Sequence, residues 1–308
     1  MAKSRTATSA AFGFLNVRKP LGITAHDVVA RVRRAIGIKQ VGHGGTLDPM
    51  AEGVLPIAVG KATRLLRFLE GRKVYLAEIR LGTRTSTDDM QGEITFAVPD
   101  EFEYPRAALV SDALRHFVGD LKQVPPMYSA VHVEGQRLYA LARAGATAAD
   151  IEVAPRAVHV ETIEELGYDP PLLRARIACG AGTYIRSIAR DLGEKLGCGG
   201  TLQSLIREQA GPFDIGSSVT LEELSEGSWT AHLLPPQMAL HQFKIEVTEE
   251  QAKKLCLGQS ITAEVPEAHP YVVCMCNGNL IAVCRTEPAG DGSVKIQPEV
   301  VIVDGQSK

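Results

Sequence analysis

The chain has 308 residues, of which 45% are hydrophobic and 22% are charged. That balance is typical of a folded globular protein and excludes a disordered chain. No apolar run is long enough to cross a bilayer, and the polar start Met1–Thr8 is not followed by the apolar core of a secretory signal. We therefore expect a protein of the cytoplasm with no membrane partner.

The net charge of −3 conceals an uneven distribution of charge along the chain. Residues 1–75 hold 13 Lys and Arg against 4 Asp and Glu, so the remainder is strongly acidic. A basic segment of this kind predicts a surface that attracts a phosphate backbone. The alternative is a chance excess of solvated side chains, because a sequence does not show whether these charges share one face.

The first half of the chain alternates strand and helix patterns. Thr24 is a typical helix N-cap with Asp27 three residues on, and Gly37 is a typical helix end, which predicts a helix between them. The other elements predicted here are strands at Phe12–Val17, Val54–Val59 and Lys73–Leu81, helices at Ala62–Leu69 and Pro105–Phe117, and a polar loop at Thr83–Gly92.

A glycine-rich stretch, Gly42–Pro49, is the most informative local feature. Glycine lets the backbone adopt positive φ and lets a ligand approach closely, and Pro49 biases Asp48 toward an extended conformation. The stretch therefore places one carboxylate, Asp48, on a tight loop with few side chains around it. An ordinary capped turn is the commoner explanation of such a pattern, so this alternative stays open at this point.

The second half of the chain continues the alternation and then changes character. A strand is predicted over Leu173–Cys179, and Thr183 is expected to cap a helix that carries Arg186 and ends at Gly197. Pro235 and Pro236 indicate a linker. The tail predicts a helix from the cap Thr248 to Leu255 and short strands at Tyr271–Met275, Leu280–Cys284 and Val294–Ile296, which is typical of a small β-rich domain.

The six cysteines favour reduced thiols over a metal site. No pair has the CxxC spacing of zinc ligands, and Cys274, Cys276 and Cys284 fall in apolar strand patterns. We expect these three to be buried and expect no metal.

Several blocks, taken in order, resemble one family. They are Lys19-Pro20-x-Gly22, Gly42–Pro49 with Gly53-Val54-Leu55, the strand that begins at Tyr75, Gln123–Ala130, Gly182–Arg186, and the strand with Leu205 and Arg207. Together they resemble the TruB-type family of bacterial tRNA pseudouridine synthases from about Phe12 to Phe213. Residues from about Lys244 onward are similar to a PUA-like domain, although the short motifs there are common ones.

The resemblance implies both a fold and an activity. The implied fold is α+β, with a mixed, largely antiparallel central sheet, flanking helices and loops, and a small C-terminal β-barrel. The implied domains are a catalytic domain over residues 1–240 and a PUA-like RNA-binding domain over residues 241–308. The implied activity is isomerisation of the T-loop uridine of tRNA to pseudouridine, by a monomer that needs no cofactor and no protein partner.

The resemblance also implies roles for individual residues. Asp48 is the expected nucleophile, Arg186 its guanidinium partner, and Tyr75 the ring that stacks on the target base. The expected RNA contacts are His43, which would occupy the space of the flipped base, together with Lys19, Leu205, Gly44 and Thr46. Because exposed arginines and core tyrosines are common, the local pattern alone does not separate these roles from ordinary structural ones.

Three alternative functions compete with this interpretation. One is a non-catalytic RNA-binding or tRNA-folding module of the same fold, and the intact Asp48, Tyr75 and Arg186 argue against it. Another is a guide-RNA-dependent synthase that needs partner proteins and longer basic extensions. A glycosidase with paired carboxylates fits poorly, because no second acid accompanies Asp48 in its motif.

Overall fold

The computed structural model describes residues 11–69, 71–133, 135–146, 150–265, 269–289 and 293–302. The predicted polar start, Met1–Thr8, lies outside these ranges. In chain order, the described strands are β1 (Gly13–Lys19), β2 (Val41–His43), β3 (Ala51–Val59), β4 (Lys73–Leu81), β5 (Thr83–Thr85), β6 (Ile94–Ala97), β7 (Gly119–Gln123), β8 (His132–Val133), β9 (Gln136–Arg137), β10 (Arg156–Asp169), β11 (Leu172–Cys179), β12 (Gly200–Ala210), β13 (Phe213–Asp214), β14 (Phe243–Glu246), β15 (Ile261–Ala263), β16 (Tyr271–Cys276), β17 (Asn279–Pro288) and β18 (Val294–Val301).

The described helices flank these strands. The α-helices are α1 (Ala25–Ile36), α2 (Ala107–Arg115), α3 (Leu138–Arg143), α4 (Ile185–Lys195), α5 (Leu221–Glu226) and α6 (Glu249–Cys256), and 3-10 helices occur at Gly60–Phe68, Ile215–Ser217, Trp229–His232 and Pro236–Met238. None of the helices in the described ranges is long and apolar enough to cross a membrane.

One large mixed sheet forms the centre of the molecule. Its strands lie in the order β1-β3-β12-β4-β11-β10-β7, with β2 beside β3 and β13 beside β12. Neighbours run antiparallel except β3 and β12, which are parallel. The predicted mixed, largely antiparallel sheet is thus confirmed. The parallel pair matters for the site, because it sets the strand that follows Asp48 beside the strand that carries Leu205 and Arg207.

A second sheet forms the tail. Its strands lie in the order β14-β16-β17-β18-β15 and curl into a half-barrel, which confirms the predicted small β-rich unit. Cys274, Cys276 and Cys284 are buried in it, as expected from their apolar strand patterns.

The tail sheet packs against the 3-10 helix Gly60–Phe68 through a shared apolar cluster. Phe68, Val273 and Val300 all belong to this cluster. At its rim Arg67 pairs with Glu299 at 2.9 Å, and Arg64 donates to the carbonyl of Val301 at 2.9 Å. Two cations of the basic N-terminal segment therefore face the tail sheet.

Helix α1 begins and ends where the sequence predicts. The Thr24 hydroxyl accepts from the amide of Asp27 at 3.1 Å, and the Asp27 carboxylate accepts from the amide of Thr24 at 2.9 Å, which completes a capping box. Gly37 ends the helix in the left-handed conformation with φ of +71°.

Three local predictions were wrong. Thr183 does not cap α4, because Tyr184 is the N-cap residue and no side chain of its own serves as the cap. The predicted helix Ala62–Leu69 is a 3-10 helix that begins two residues earlier. The predicted polar loop Thr83–Gly92 starts as strand β5, which pairs with β6.

Candidate active site

Asp48 lies on the loop of residues 44–50, here called the Asp48 loop, which connects β2 to β3. The amide of Gly44 donates to the carbonyl of Pro56 at 2.8 Å, and a Cβ at Gly44 would lie 2.5 Å from Leu69. Leu47 and Met50 are buried on either side of Asp48, whereas 32% of the Asp48 side chain stays exposed. The loop is therefore anchored by its apolar residues and presents its carboxylate to solvent.

Arg186 pairs with Asp48. The distance from Arg186 Nη2 to Asp48 Oδ2 is 2.9 Å, and only 4% of the arginine side chain is exposed. The same guanidinium donates to the carbonyls of Thr87 at 3.0 Å and Tyr128 at 2.9 Å. Because these contacts come from three separate segments, the cation is held rigidly and holds the carboxylate in turn.

The start of helix α4, which carries Arg186, is fixed by a residue distant in sequence. Gln123 Oε1 accepts from the amide of Tyr184 at 3.0 Å, and Gln123 Nε2 donates to the carbonyl of Tyr184 at 3.3 Å. This buried side chain replaces the cap expected from Thr183. It satisfies one of the free amides that every helix start exposes.

Tyr75 and Leu205 lie in the apolar cluster that also contains Leu47 and Met50. Tyr75 is on β4 and is 7% exposed. Burial raises the pKa of its phenol, while the charge of Arg207 and a hydrogen bond from it act in the opposite direction. The hydroxyl is therefore protonated at neutral pH. The structure thus brings Tyr75 and Leu205 to the apolar side of the Asp48 loop.

Lys19 is placed differently from the phosphate contact expected of it. Its side chain is fully buried, and its ammonium donates to the carbonyls of Pro20 at 2.9 Å, Ala51 at 2.6 Å and Pro49 at 3.4 Å. Burial lowers the pKa of this group to about 8, although the Asp48 carboxylate opposes the shift. An ammonium with three carbonyl acceptors has no free donor for a phosphate. Its position is that of a structural contact beneath the Asp48 loop.

His43 ends strand β2 immediately before the Asp48 loop, and it is half-buried. Its ring meets that of His26, on the first turn of α1, edge to face at a centroid distance of 5.2 Å. Burial lowers the pKa of His43, with further lowering from His26 and Arg207. A neutral imidazole beside a carboxylate loop suits stacking on a base better than binding a phosphate.

Gly44 and Thr46 frame the loop in different ways. Gly44 lies against Pro56 and Leu69, whereas the side chain of Thr46 is exposed. Both residues lie at the surface of the loop around Asp48.

Two residues close to the site were not assigned from the sequence. Asp89 is buried 3.6 Å from Arg186 Nη1, and its carboxylate accepts from Thr87 Oγ1 at 2.7 Å. Arg207 is 1% exposed and donates to backbone carbonyls of the Asp48 loop. Arg207 stands in the same sequence block as Leu205, and period-two alternation puts the two on the same face of the strand.

No group of three or more His, Cys, Asp or Glu side chains that could hold a metal ion occurs in the described ranges.

Solved structures with the same fold are similar over nearly the whole chain. The archaeal box H/ACA Nop10–Cbf5 complex matches with a TM-score of 0.73 and 24% identity, over 97% of this chain and 88% of that chain. An H/ACA RNP bound to a substrate RNA containing 2′-deoxyuridine matches with a TM-score of 0.73 and 22% identity, over 95% and 85%. The fold is that of the pseudouridine synthases.

Sequence comparison defines the family more narrowly. The models of the TruB family pseudouridylate synthase N-terminal domain and of the tRNA pseudouridylate synthase B C-terminal domain match residues 33–185 and 186–243. A tRNA pseudouridine synthase B of Gloeothece citriformis is 46% identical over 304 residues, covering 94% of this chain and 97% of that relative. One of Synechocystis sp. is 43% identical over 303 residues, covering 94% and 99%. The chain belongs to the TruB family of pseudouridylate synthases.

Proposed function

We propose that this chain is a tRNA pseudouridine synthase that converts the T-loop uridine at position 55 of tRNA to pseudouridine. The observation that carries the proposal is the 2.9 Å ion pair between Asp48 and the buried Arg186, beside Tyr75 on the apolar side of the same loop. The ion pair fixes the position of the proposed nucleophile, and 32% of the Asp48 side chain stays exposed to a substrate.

The reaction needs a carboxylate and no redox partner. The N1–C1′ bond of uridine breaks, the base turns over, and C5 bonds to C1′. Asp48 supports the first step by attack at C6 or C1′ or by removal of a sugar proton, and it is placed to accept the proton that leaves C5 at the end. Arg186 holds the carboxylate in position throughout.

The target uridine must leave its stack before the carboxylate can reach it. In our proposal Tyr75 and Leu205 form the apolar surface on which the flipped base rests, and His43 fills the space it vacates. Gly44 and Thr46 lie where the RNA backbone approaches. The half-burial of His43 and its contact with His26 support this, because a fixed ring is a better stacking surface than a free one.

We further propose that residues 1–240 form the catalytic domain and residues 241–308 an RNA-binding domain of the PUA kind, working as a cytoplasmic monomer without a protein partner. The curled second sheet and its contact with the 3-10 helix Gly60–Phe68 support a separate unit that packs on the first. The Cbf5 structures are complexes with Nop10 and Gar1, so the experiment below includes a partner-dependent outcome.

The test uses the pure full chain and an unmodified T-arm hairpin with no added protein. We expect one pseudouridine, at the T-loop position that corresponds to residue 55, mapped by chemical sequencing. Product that forms only after addition of a cell extract would favour the partner-dependent alternative. Tight binding without any product would favour the non-catalytic RNA-binding module.

A further inference from the structure

Arg207 occupies a central position between the two halves of the site. On one side of β12 it lies opposite Tyr75 of β4, and on the other side opposite Gly53 of β3. Its Nε donates to the carbonyl of Val54 at 2.7 Å, Nη1 to that of Thr46 at 3.2 Å and Nη2 to that of Gly45 at 3.3 Å. One side chain thus connects the strand that carries Leu205 with the Asp48 loop and with the strand that follows it.

Strand β3 lies so close to the backbone of Arg207 that no side chain fits on β3 at the point of contact. Gly53 has a φ of +107°, and a Cβ there would lie 2.3 Å from the backbone oxygen of Arg207. A glycine is needed at this point because the two strands are in direct backbone contact. The backbone of Arg207 is therefore held in one position, from which its guanidinium reaches the Asp48 loop.

No ion pair of the described residues includes Arg207. Its charge is compensated by backbone carbonyls, although a buried cation is costly and an apolar side chain of similar volume would pack at a lower cost. The charge acts instead on its neighbours. It opposes the rise that burial causes in the pKa of Tyr75, and it adds to the lowering that burial causes in the pKa of His43 and of Lys19.

We propose that Arg207 is a positioning residue whose guanidinium fixes the Asp48 loop and the Tyr75 hydroxyl in one geometry. The planar fork reaches two carbonyls near the start of the loop and one on β3, the strand that follows it, which a single ammonium cannot do. Arg186 holds the Asp48 carboxylate, while Arg207 holds the backbone of the loop. The expected effect of Arg207 on the reaction rate rests on the proposed function. Its expected effect on the pKa of His43 does not.

The kinetic test compares Arg207→Gln and Arg207→Lys, with Arg176→Gln on the exposed face of β11 as the matched control. Single-turnover conversion of the T-arm hairpin is measured per folded molecule, with hairpin affinity from fluorescence anisotropy. We expect Arg207→Gln to slow conversion by about 100-fold and Arg207→Lys to recover about tenfold of that loss, since loop placement affects the reacting geometry. Affinity should change by less than about threefold.

The electrostatic test needs no activity. The imidazole of His43 is titrated by NMR in the full chain, and its signal is assigned with His43→Gln. We expect the pKa of His43 to rise in Arg207→Gln and to stay unchanged in Arg207→Lys, because only the former removes the neighbouring charge. If wild-type protein makes no pseudouridine, the proposed function fails while this titration still decides the placement of Arg207.

Three results would overturn the inference. One is a wild-type rate per folded molecule in Arg207→Gln. Another is a loss of hairpin affinity as large as the loss of rate, which would make Arg207 a binding residue. The third is an unchanged pKa of His43 in Arg207→Gln. If Arg207→Gln does not fold, the rate of Arg207→Lys relative to Arg176→Gln decides, and equality of these two rates refutes the proposal.

Discussion

The charged residues near Asp48 differ in how they are compensated. Arg186 pairs with Asp48 and lies near Asp89, whereas Lys19 and Arg207 donate to backbone carbonyls and belong to no ion pair of the described residues. Three cations therefore surround a loop with one partly exposed carboxylate. An excess of positive charge at this point favours the approach of an anionic RNA.

Replacement of Arg186 by lysine tests whether a guanidinium is required. A lysine has one compact ammonium and cannot reach Asp48, Thr87 and Tyr128 together. We expect Arg186→Lys to slow single-turnover pseudouridine formation by about 100-fold while hairpin affinity changes by less than about threefold. Arg115→Lys, at the exposed end of α2, is the control, and it should stay within about threefold of wild type. Equal losses in the two variants would contradict the specific role of Arg186.

The pKa of Lys19 predicts a pH dependence of stability. Its folded pKa of about 8 is below the value of 10.5 in an unfolded chain. Between these values the unfolded state holds a proton that the folded state has lost, so the free energy of unfolding rises with pH. From about pH 7.5 to about pH 9.5, the titration of Lys19 should raise the free energy of unfolding by about 2 kcal/mol.

Urea unfolding of wild type and Lys19→Met at both pH values measures that contribution. Other groups that titrate in this interval are common to both proteins and cancel in the comparison. We expect the increase to be smaller by about 2 kcal/mol in Lys19→Met. The same increase in both proteins would mean that the lysine is not buried as described.

At the scale of elements, local signals predicted local structure well. Helix α1 follows from Thr24, Asp27 and Gly37, because all of its capping interactions are made within the helix and its adjoining residues. The start of α4 did not follow from Thr183, because Gln123 of β7 provides the contacts there. A residue 61 positions away leaves no trace in the local pattern.

The contrast between local contacts and contacts with distant residues also explains which site residues the sequence predicts. Asp48 and Arg186 belong to motifs with a recognisable pattern, and the structure joins them at 2.9 Å. The burial of Lys19 and the reach of Arg207 depend on the packing of β1 and β12 against β3, so neither follows from spacing. Family motifs identify these residues more readily than they predict which of them are buried and what each one contacts.

The close contact of β3 with β12 predicts that a substitution of Gly53 strongly lowers the free energy of unfolding. Gly53→Ala combines positive φ with a backbone clash, whereas Gly119→Ala has a φ of +100° and nothing within 4 Å of the added Cβ. Gly119→Ala should therefore cost about 1–2 kcal/mol of unfolding free energy, the cost of a left-handed residue. Gly53→Ala should cost at least about 2 kcal/mol more. Similar urea midpoints for the two variants would contradict the close approach of the strands.

At the scale of the whole molecule, most cations of the basic segment that the structure describes are exposed, but they differ in their contacts. Lys19 is buried, and Arg64 and Arg67 contact the tail sheet although they stay exposed, whereas Arg31 and Arg34 on α1 are exposed and belong to no ion pair of the described residues. The predicted attraction of a phosphate backbone therefore depends most on cations such as these last two.

The salt dependence of tRNA affinity tests which of these cations contact the RNA. The logarithm of the affinity should fall linearly with the logarithm of the salt concentration, because bound cations release counterions from the RNA. Arg31→Gln and Arg34→Gln should each reduce the slope by about 1, whereas Arg67→Gln should leave it unchanged. An affinity that does not respond to salt would mean that the N-terminal segment does not contact the RNA.

The most direct test of the account is the substitution Asp48→Asn, with Asp169→Asn at the exposed end of β10 as the control. Both proteins are incubated with unmodified tRNA, and the pseudouridine formed and the affinity are measured side by side. We expect Asp48→Asn to bind tRNA within about threefold of wild type and to form no detectable pseudouridine, while Asp169→Asn behaves as wild type. Pseudouridine formation by Asp48→Asn at the wild-type rate would contradict the central claim that this carboxylate carries the reaction.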